Sequence, residues 1–255
     1  MAHKPTERVL SILTLLAAHP EGLSLTNITE ILHIPKSTIS PILQEMTQQN
    51  FLHLQPEGNL YSIGIASYCI GAAYAHDRAL IPYIKEEMKK ISQETQEMCQ
   101  VGILDGSDVL YILKEEPRIS PTIKIISYIG KKLPAYCTSL GKALLSSLTF
   151  DELKALYPNP LEPVTPNTIT DLTVLYQQLQ DIKKTHIAAE YEEATCQLCC
   201  FAVPIHLQGT QSYALSISMP LFRASEEKIE LAKKLLLEAK AAIESYTISN
   251  SIAAK

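Results

Sequence analysis

The tightest constraint on this chain lies between Ser24 and Met46. Apolar residues fall at Leu25, Ile28, Ile31 and Leu32, then at Ile34, Ile39, Ile42, Leu43 and Met46. Three- and four-residue spacing puts each set on one face of a helix. His33, Ile34 and Pro35 between them leave room only for a tight turn, and Ser and Thr residues open the helix that follows. Short helix, tight turn, helix is a helix-turn-helix pattern. In such a motif the N-terminal end of the second helix enters the DNA major groove.

The flanks agree with that reading. Val9, Ile12, Leu13 and Leu16 predict a first helix over residues 7–18, ended by His19-Pro20-Glu21-Gly22. Ser24 or Thr26 can cap the second helix. Strands are expected at 51–54 and 60–63, joined by a Pro/Gly turn over 55–59, where a wing would sit. A small helical subdomain that binds protein is the alternative for the whole segment. Residues 60–76 carry no formal charge. Small Ala66, Gly71, Ala72, Ala73 and Ala75 alternate there with large Ile65, Tyr68 and Ile70, which predicts a buried helix between domains. It would serve either as a dimer seam or as an ordinary core helix within the chain.

From Leu80 the pattern changes to an α+β mixture. Helices are expected over 81–95, 151–157, 172–184 and 226–246, with a loop passing into a helix over 134–148. Strands are expected over 99–104, 109–113, 122–127, 186–189, 199–206 and 212–219. The turn Asp105-Gly106-Ser107-Asp108 makes a hairpin of the first two strands. Residues 249–255 read as a frayed tail.

Composition narrows the class. Of 255 residues, 46 % are hydrophobic, enough for a well-buried core. No run reaches the roughly 20 apolar residues that cross a bilayer, and the first eight residues lack a secretion signal's apolar segment, so a cytoplasmic location is expected. The six cysteines are then expected as reduced thiols. Charge argues against DNA: the net charge is −5. Residues 1–78 set four bases (Lys4, Arg8, Lys36, Arg78) against six acids (Glu7, Glu21, Glu30, Glu45, Glu57, Asp77). Proteins that neutralise phosphates usually carry a basic patch, so any patch here is small and local.

Six segments, in order and in register, resemble the IclR-type bacterial transcriptional regulators. They are PKSTI at 35–39, PEGNLYSIG at 56–64, TSLGKA at 138–143, TPNTIT at 165–170, EYEE at 190–193 with CFAVPI at 200–205, and ALSIS at 214–218. The resemblance spans nearly the full chain. It implies a winged helix-turn-helix over 1–63, a dimerising linker helix over 64–79, a GAF-like effector-binding domain over 80–248 and a tail over 249–255. It further implies double-stranded DNA and a small-molecule effector, often an organic or aromatic acid, as partners, and a homodimer or a dimer of dimers, with no membrane partner and no cofactor.

Candidate residues follow. Lys36, Ser37, Thr38 and Ser40 open the third helix, where hydroxyls and an ammonium can reach phosphates or base edges. The alternative is that Ser37 or Thr38 merely caps the helix. Pro41 stands where the family commonly has arginine, and predicts a late or distorted helix start. The wing also lacks a cation at Asn59, Leu60 and Tyr61. For the effector, Tyr136, Thr138, Ser139, Leu140 and Gly141 offer hydroxyls and backbone amides entering a helix. Glu190 stands where the resemblance puts a ligand-facing aspartate, and Cys200 matches its pocket cysteine. Ser216 and Ser218 share one side of a strand.

Other readings stay open. Cys196, Cys199 and Cys200, with Cys137 across the pocket and His186 or His206 nearby, could bind metal or sense redox state. Adjacent strand residues point to opposite faces, however, so no metal site is assigned. A sensor or interaction protein with a degenerate DNA-binding domain is the main alternative function. No catalytic triad signature, phosphate loop or metalloprotease motif occurs, and no catalytic residue is assigned.

Overall fold

Helix starts in the N-terminal part follow from single residues. The computed structural model describes residues 3–76, 80–117, 127–207 and 212–253. Helix α1 spans Lys4–Ala17, earlier than the apolar spacing predicts, because Pro5 suits a first turn whose amides have no intrahelical partner. A two-residue strand β1 (Leu23–Ser24) escapes local pattern reading altogether. Ser24 caps α2 (Leu25–Leu32) by accepting from the Asn27 amide at 3.2 Å. His33 in the left-handed region, φ 53°, then turns the chain into α3 (Lys36–Gln48).

Helix α3 corrects two expectations. Pro35 is its N-cap, with no side-chain capping bond, so neither Ser37 nor Thr38 caps it. The start is early rather than late: the Thr38 and Ile39 amides both donate to the Pro35 carbonyl, at 2.9 and 3.1 Å. Pro41 lies inside the helix. Its missing N–H forfeits the ladder bond to the Ser37 carbonyl, but Ser37 and Pro41 are both exposed, so water can reach the freed group.

Strands β2 (Leu52–Gln55) and β3 (Leu60–Ile63) form the wing hairpin, and β1 adds to β3. Ile12, Leu16, Ile28, Ile39, Leu43, Met46 and Leu52 make the core of this unit. Helix α4 (Ile65–His76) is anchored at its start by Ala66 N–H to Asn50 O at 3.0 Å and Ser67 Oγ to Phe51 O at 3.1 Å. A Cβ on Gly64 would lie 2.3 Å from the Asn50 oxygen, so only glycine fits there. The single chain does not itself bury this helix. Ile65, Tyr68 and Ile70 are 65, 70 and 61 % exposed, which rules out an ordinary core helix for these faces.

Residues 1–79 form one unit and 80–255 a second. The second is a six-stranded antiparallel sheet in the order β6-β5-β4-β9-β8-β7. In chain order its elements are α5 (Leu80–Thr95), β4 (Met98–Asp105), β5 (Asp108–Glu115), β6 (Lys132–Pro134), a 3-10 turn (Ala135–Cys137), α6 (Ser139–Leu145), α7 (Phe150–Leu156), α8 (Leu172–Thr185), β7 (Ala188–Tyr191), β8 (Leu198–Ile205), β9 (Tyr213–Pro220) and α9 (Glu226–Ala253). The strand expected over 122–127 lies outside the described residues except for Ser127. The tail expected from 249 is helical to Ala253.

Alternation sorts the two faces. Cys199, Phe201, Val203 and Ile205 of β8 and Leu215, Ile217 and Met219 of β9 face α5 and α9. The intervening residues face α6, α7 and α8, whose core holds Leu140, Leu144, Leu153, Leu175 and Leu179. The register of β4 against β5 shifts between Val101 and Gly102, the mark of a β-bulge.

Candidate DNA face and effector cavity

Of the four expected DNA-reading residues, Lys36, Ser37 and Ser40 are exposed on the first turns of α3, and Thr38 is half-buried. The Lys36 ammonium donates to Thr26 Oγ1 of α2 at 3.0 Å. That bond links the two helices and leaves the cation at the start of α3.

The candidate cavity is built from a polar row across four strands on the α6 face. Glu190 pairs with Cys200, Cys200 with Ser218, Ala202 with Ser216, and Ser216 with Gln100. Directly opposed residues on one face stand about 5 Å apart, so these side chains meet. Thr138 and Ser139 close the row from the start of α6, joined by Tyr111, Ser127 and Thr195. The Gln100 amide donates to Ser127 Oγ at 2.6 Å. The cavity is small, about 30 Å³, space for a single water or two.

Three expected residues do not line it. The Tyr136 hydroxyl is taken up by the Glu162 carbonyl at 2.7 Å, with its ring edge-on to Tyr157. Leu140 belongs to the apolar core behind the cavity. Gly141 is pressed on Ala135, where a Cβ would lie 2.0 Å from the Ala135 oxygen. Its amide donates to Thr138 Oγ1 at 3.0 Å.

Behind the cavity lies a buried polar network that sequence reading missed. Lys142 is fully buried and is held by Glu193 and by Gln178 Oε1, the latter at 2.9 Å. The Glu193 amide donates to the Glu190 carboxylate at 2.9 Å. Thr165 and Thr168 donate to the carbonyls of Glu192 and Glu193, at 2.6 and 2.7 Å. The segments 138–143, 165–170 and 190–193 thus converge on one turn. The signal in the sequence is a lysine in the otherwise apolar stretch Leu140–Leu145.

Burial governs the protonation of the cavity. Desolvation pushes the Glu190 carboxyl from 4.5 up to about 7, against the lowering effect of its hydrogen bonds to Cys200 and the Glu193 amide. Desolvation also raises Cys200 well above the usual thiol range, helped by the Glu190 charge, and holds Cys199 at about 11. Cys199 faces the opposite side of the sheet and donates to Met219 O at 3.7 Å, while Cys196 is exposed. Buried Cys137 donates to Pro134 O at 3.4 Å and does not line the cavity. His186 and His206 line a different hollow, with Lys240 and Glu244. Among the described residues no group of three or more His, Cys, Asp or Glu could hold a metal ion.

A helix-turn-helix with a wing, followed by an antiparallel sheet that carries an enclosed polar cavity, defines a DNA-binding regulator with a sensor-type second unit. The particular family follows from comparison. Residues 72–245 match "Bacterial transcriptional regulator IclR C-terminal" and residues 5–56 match "IclR helix-turn-helix domain". The chain belongs to the IclR family of transcriptional regulators, a non-enzymatic role at the family level. It is 29 % identical over 231 residues to the HTH-type transcriptional regulator Rv1719 of Mycobacterium tuberculosis, covering 90 % of this chain and 87 % of that one. The structure resembles IclR of Thermotoga maritima, with a TM-score of 0.76 at 27 % identity, covering 96 and 99 % of the two chains. It shares its fold with an IclR homologue of Microbacterium hydrocarbonoxydans complexed with 4-hydroxybenzoate, at TM-score 0.78 and 22 % identity over 95 and 98 %. Among the described residues no helix is long and apolar enough to cross a membrane.

Proposed function

We propose that this regulator is a cytoplasmic homodimer, assembling further as a dimer of dimers, whose affinity for double-stranded DNA is set by a small organic or aromatic acid. The observation that carries this is the polar row Glu190–Cys200–Ser218 with Ser216–Gln100, enclosed by Thr138 and Ser139. Clustered hydroxyls, an amide and a carboxyl converging on one enclosed cavity suit a specific polar ligand. The Microbacterium relative's 4-hydroxybenzoate supports the acid class. On this reading Lys36, Ser37, Thr38 and Ser40 contact DNA, and residues 64–79 link the reading unit to the sensing unit.

Two physical conditions follow. The cavity of about 30 Å³ is smaller than an aromatic acid, so entry must displace wall side chains. A ligand that moves its walls can prefer one arrangement of the protein over another, which is what regulation requires. Second, among the described residues no cation lines the cavity: Lys142 lies behind it, paired with Glu193. An anionic ligand beside Glu190 binds best with that carboxyl protonated and donating to it, the form its burial favours.

Replacing Ser216 and Ser218 together by alanine should abolish the effector's change in operator binding while leaving operator affinity within about threefold. A normal effector response in the double variant contradicts the cavity assignment. The second reading, a sensor with a degenerate DNA-binding domain, is favoured by the excess of acids in residues 1–78 and by Pro41. Ligand binding without sequence-specific DNA binding would select it.

A further inference from the structure

The outward face of α3 has a composition of its own. Ile39, Leu43 and Met46 are buried. Opposite them, at helical spacing, stand Ser37, Pro41, Gln44 and Gln48, all exposed, with Ser40 beside them. The helix contains no arginine. Its one lysine, Lys36, is at the first residue and donates to Thr26 Oγ1 at 3.0 Å. Glu45, on the flank, accepts from the Gln49 amide at 3.0 Å.

Base edges in the major groove ask for different partners. Guanine offers two acceptors and is read by arginine or lysine. Adenine offers an acceptor and a donor, and is read bidentately by glutamine or asparagine. The thymine methyl takes an apolar contact. Of the two glutamines on this face, Gln44 stands one turn nearer the helix start, the end that enters the groove, than Gln48, the last residue. We infer that Gln44 is the specificity-determining residue of this helix, reading adenine N6 and N7, while the Pro41 ring lies on a neighbouring thymine methyl, so that each half-site is specified through A·T pairs. The inference rests on the DNA-contacting role proposed for the start of α3. It also gives Pro41 a role: the ring has no donor for guanine and offers the apolar contact that a thymine methyl takes.

The test is selection of binding sites from a random duplex library with the full-length protein, read by sequencing, for the native chain, Gln44→Ala and Gln44→Arg. The native chain should enrich half-sites with A·T pairs at the positions that Gln44 governs. Gln44→Ala should lose preference for one adenine per half-site by about tenfold or more, keeping the flanks. Gln44→Arg should move that preference to guanine. Gln44 is exposed, so unchanged melting of both variants is expected and checks that they fold. Enriched sites that Gln44→Ala leaves unaltered, or that carry G·C at the governed positions, overturn the inference alone. A native chain that enriches no sequence overturns the DNA-contacting role as well.

Discussion

Glu190 and Gly141 show how single residues set the sensor unit. A carboxyl that titrates near 7 when folded and near 4.5 when free binds more protons in the native state between those values. Its contribution to stability is therefore fully present below about pH 4.5 and is lost as pH rises through about 7. Glu190→Gln removes this dependence. Relative to that variant, the native chain should lose about 3 kcal/mol of stability from pH 4.5 to pH 8 in urea titrations. A difference that does not vary with pH would contradict the burial argument. Gly141 acts by size. Alanine there would put a methyl 2.0 Å from the Ala135 oxygen, and that carbonyl belongs to the backbone and cannot swing aside. Gly141→Ala should lower stability by about 3 kcal/mol, read as an earlier urea transition. A variant as stable as the native chain would contradict the packing described.

At the scale of elements, helix α4 is the clearest unfinished surface. Ile65 and Tyr68 lie side by side on it and are exposed. Apolar residues of this size clustered on one exposed helix mark an interaction surface. The double change Ile65→Glu and Tyr68→Glu should shift the protein from dimer or larger towards monomer in sedimentation at micromolar concentration. A native chain that is already monomeric there would contradict the proposed dimer. Legibility in the sequence also varies by element. Period-two alternation in β8 and β9 places Cys200, Ser216 and Ser218 on one face. Helical spacing finds the core of α2 and α3. Gln100, Tyr111 and Ser127 are out of reach, because they come to the cavity through cross-strand register and long-range folding. Tyr136 misleads for the opposite reason: its place in a 3-10 turn sends its hydroxyl to the Glu162 carbonyl, a contact 26 residues distant. Pro41 predicts a delayed helix, but Pro35 has already started it.

For the whole molecule, the tension is between charge and function. A chain at −5 with few bases in its DNA-reading unit has little nonspecific attraction to phosphate. Its specificity must then come from base edges and, in the dimer proposed, from two reading units acting together. The most direct measurement is a titration of the purified full-length protein onto the DNA flanking its own gene, against random DNA, at two salt concentrations and with and without candidate organic acids. A regulator of this kind should bind specifically, more weakly at higher salt, and with an affinity that changes with one of the acids. Binding no tighter than to random DNA, with every acid tried, would contradict that function.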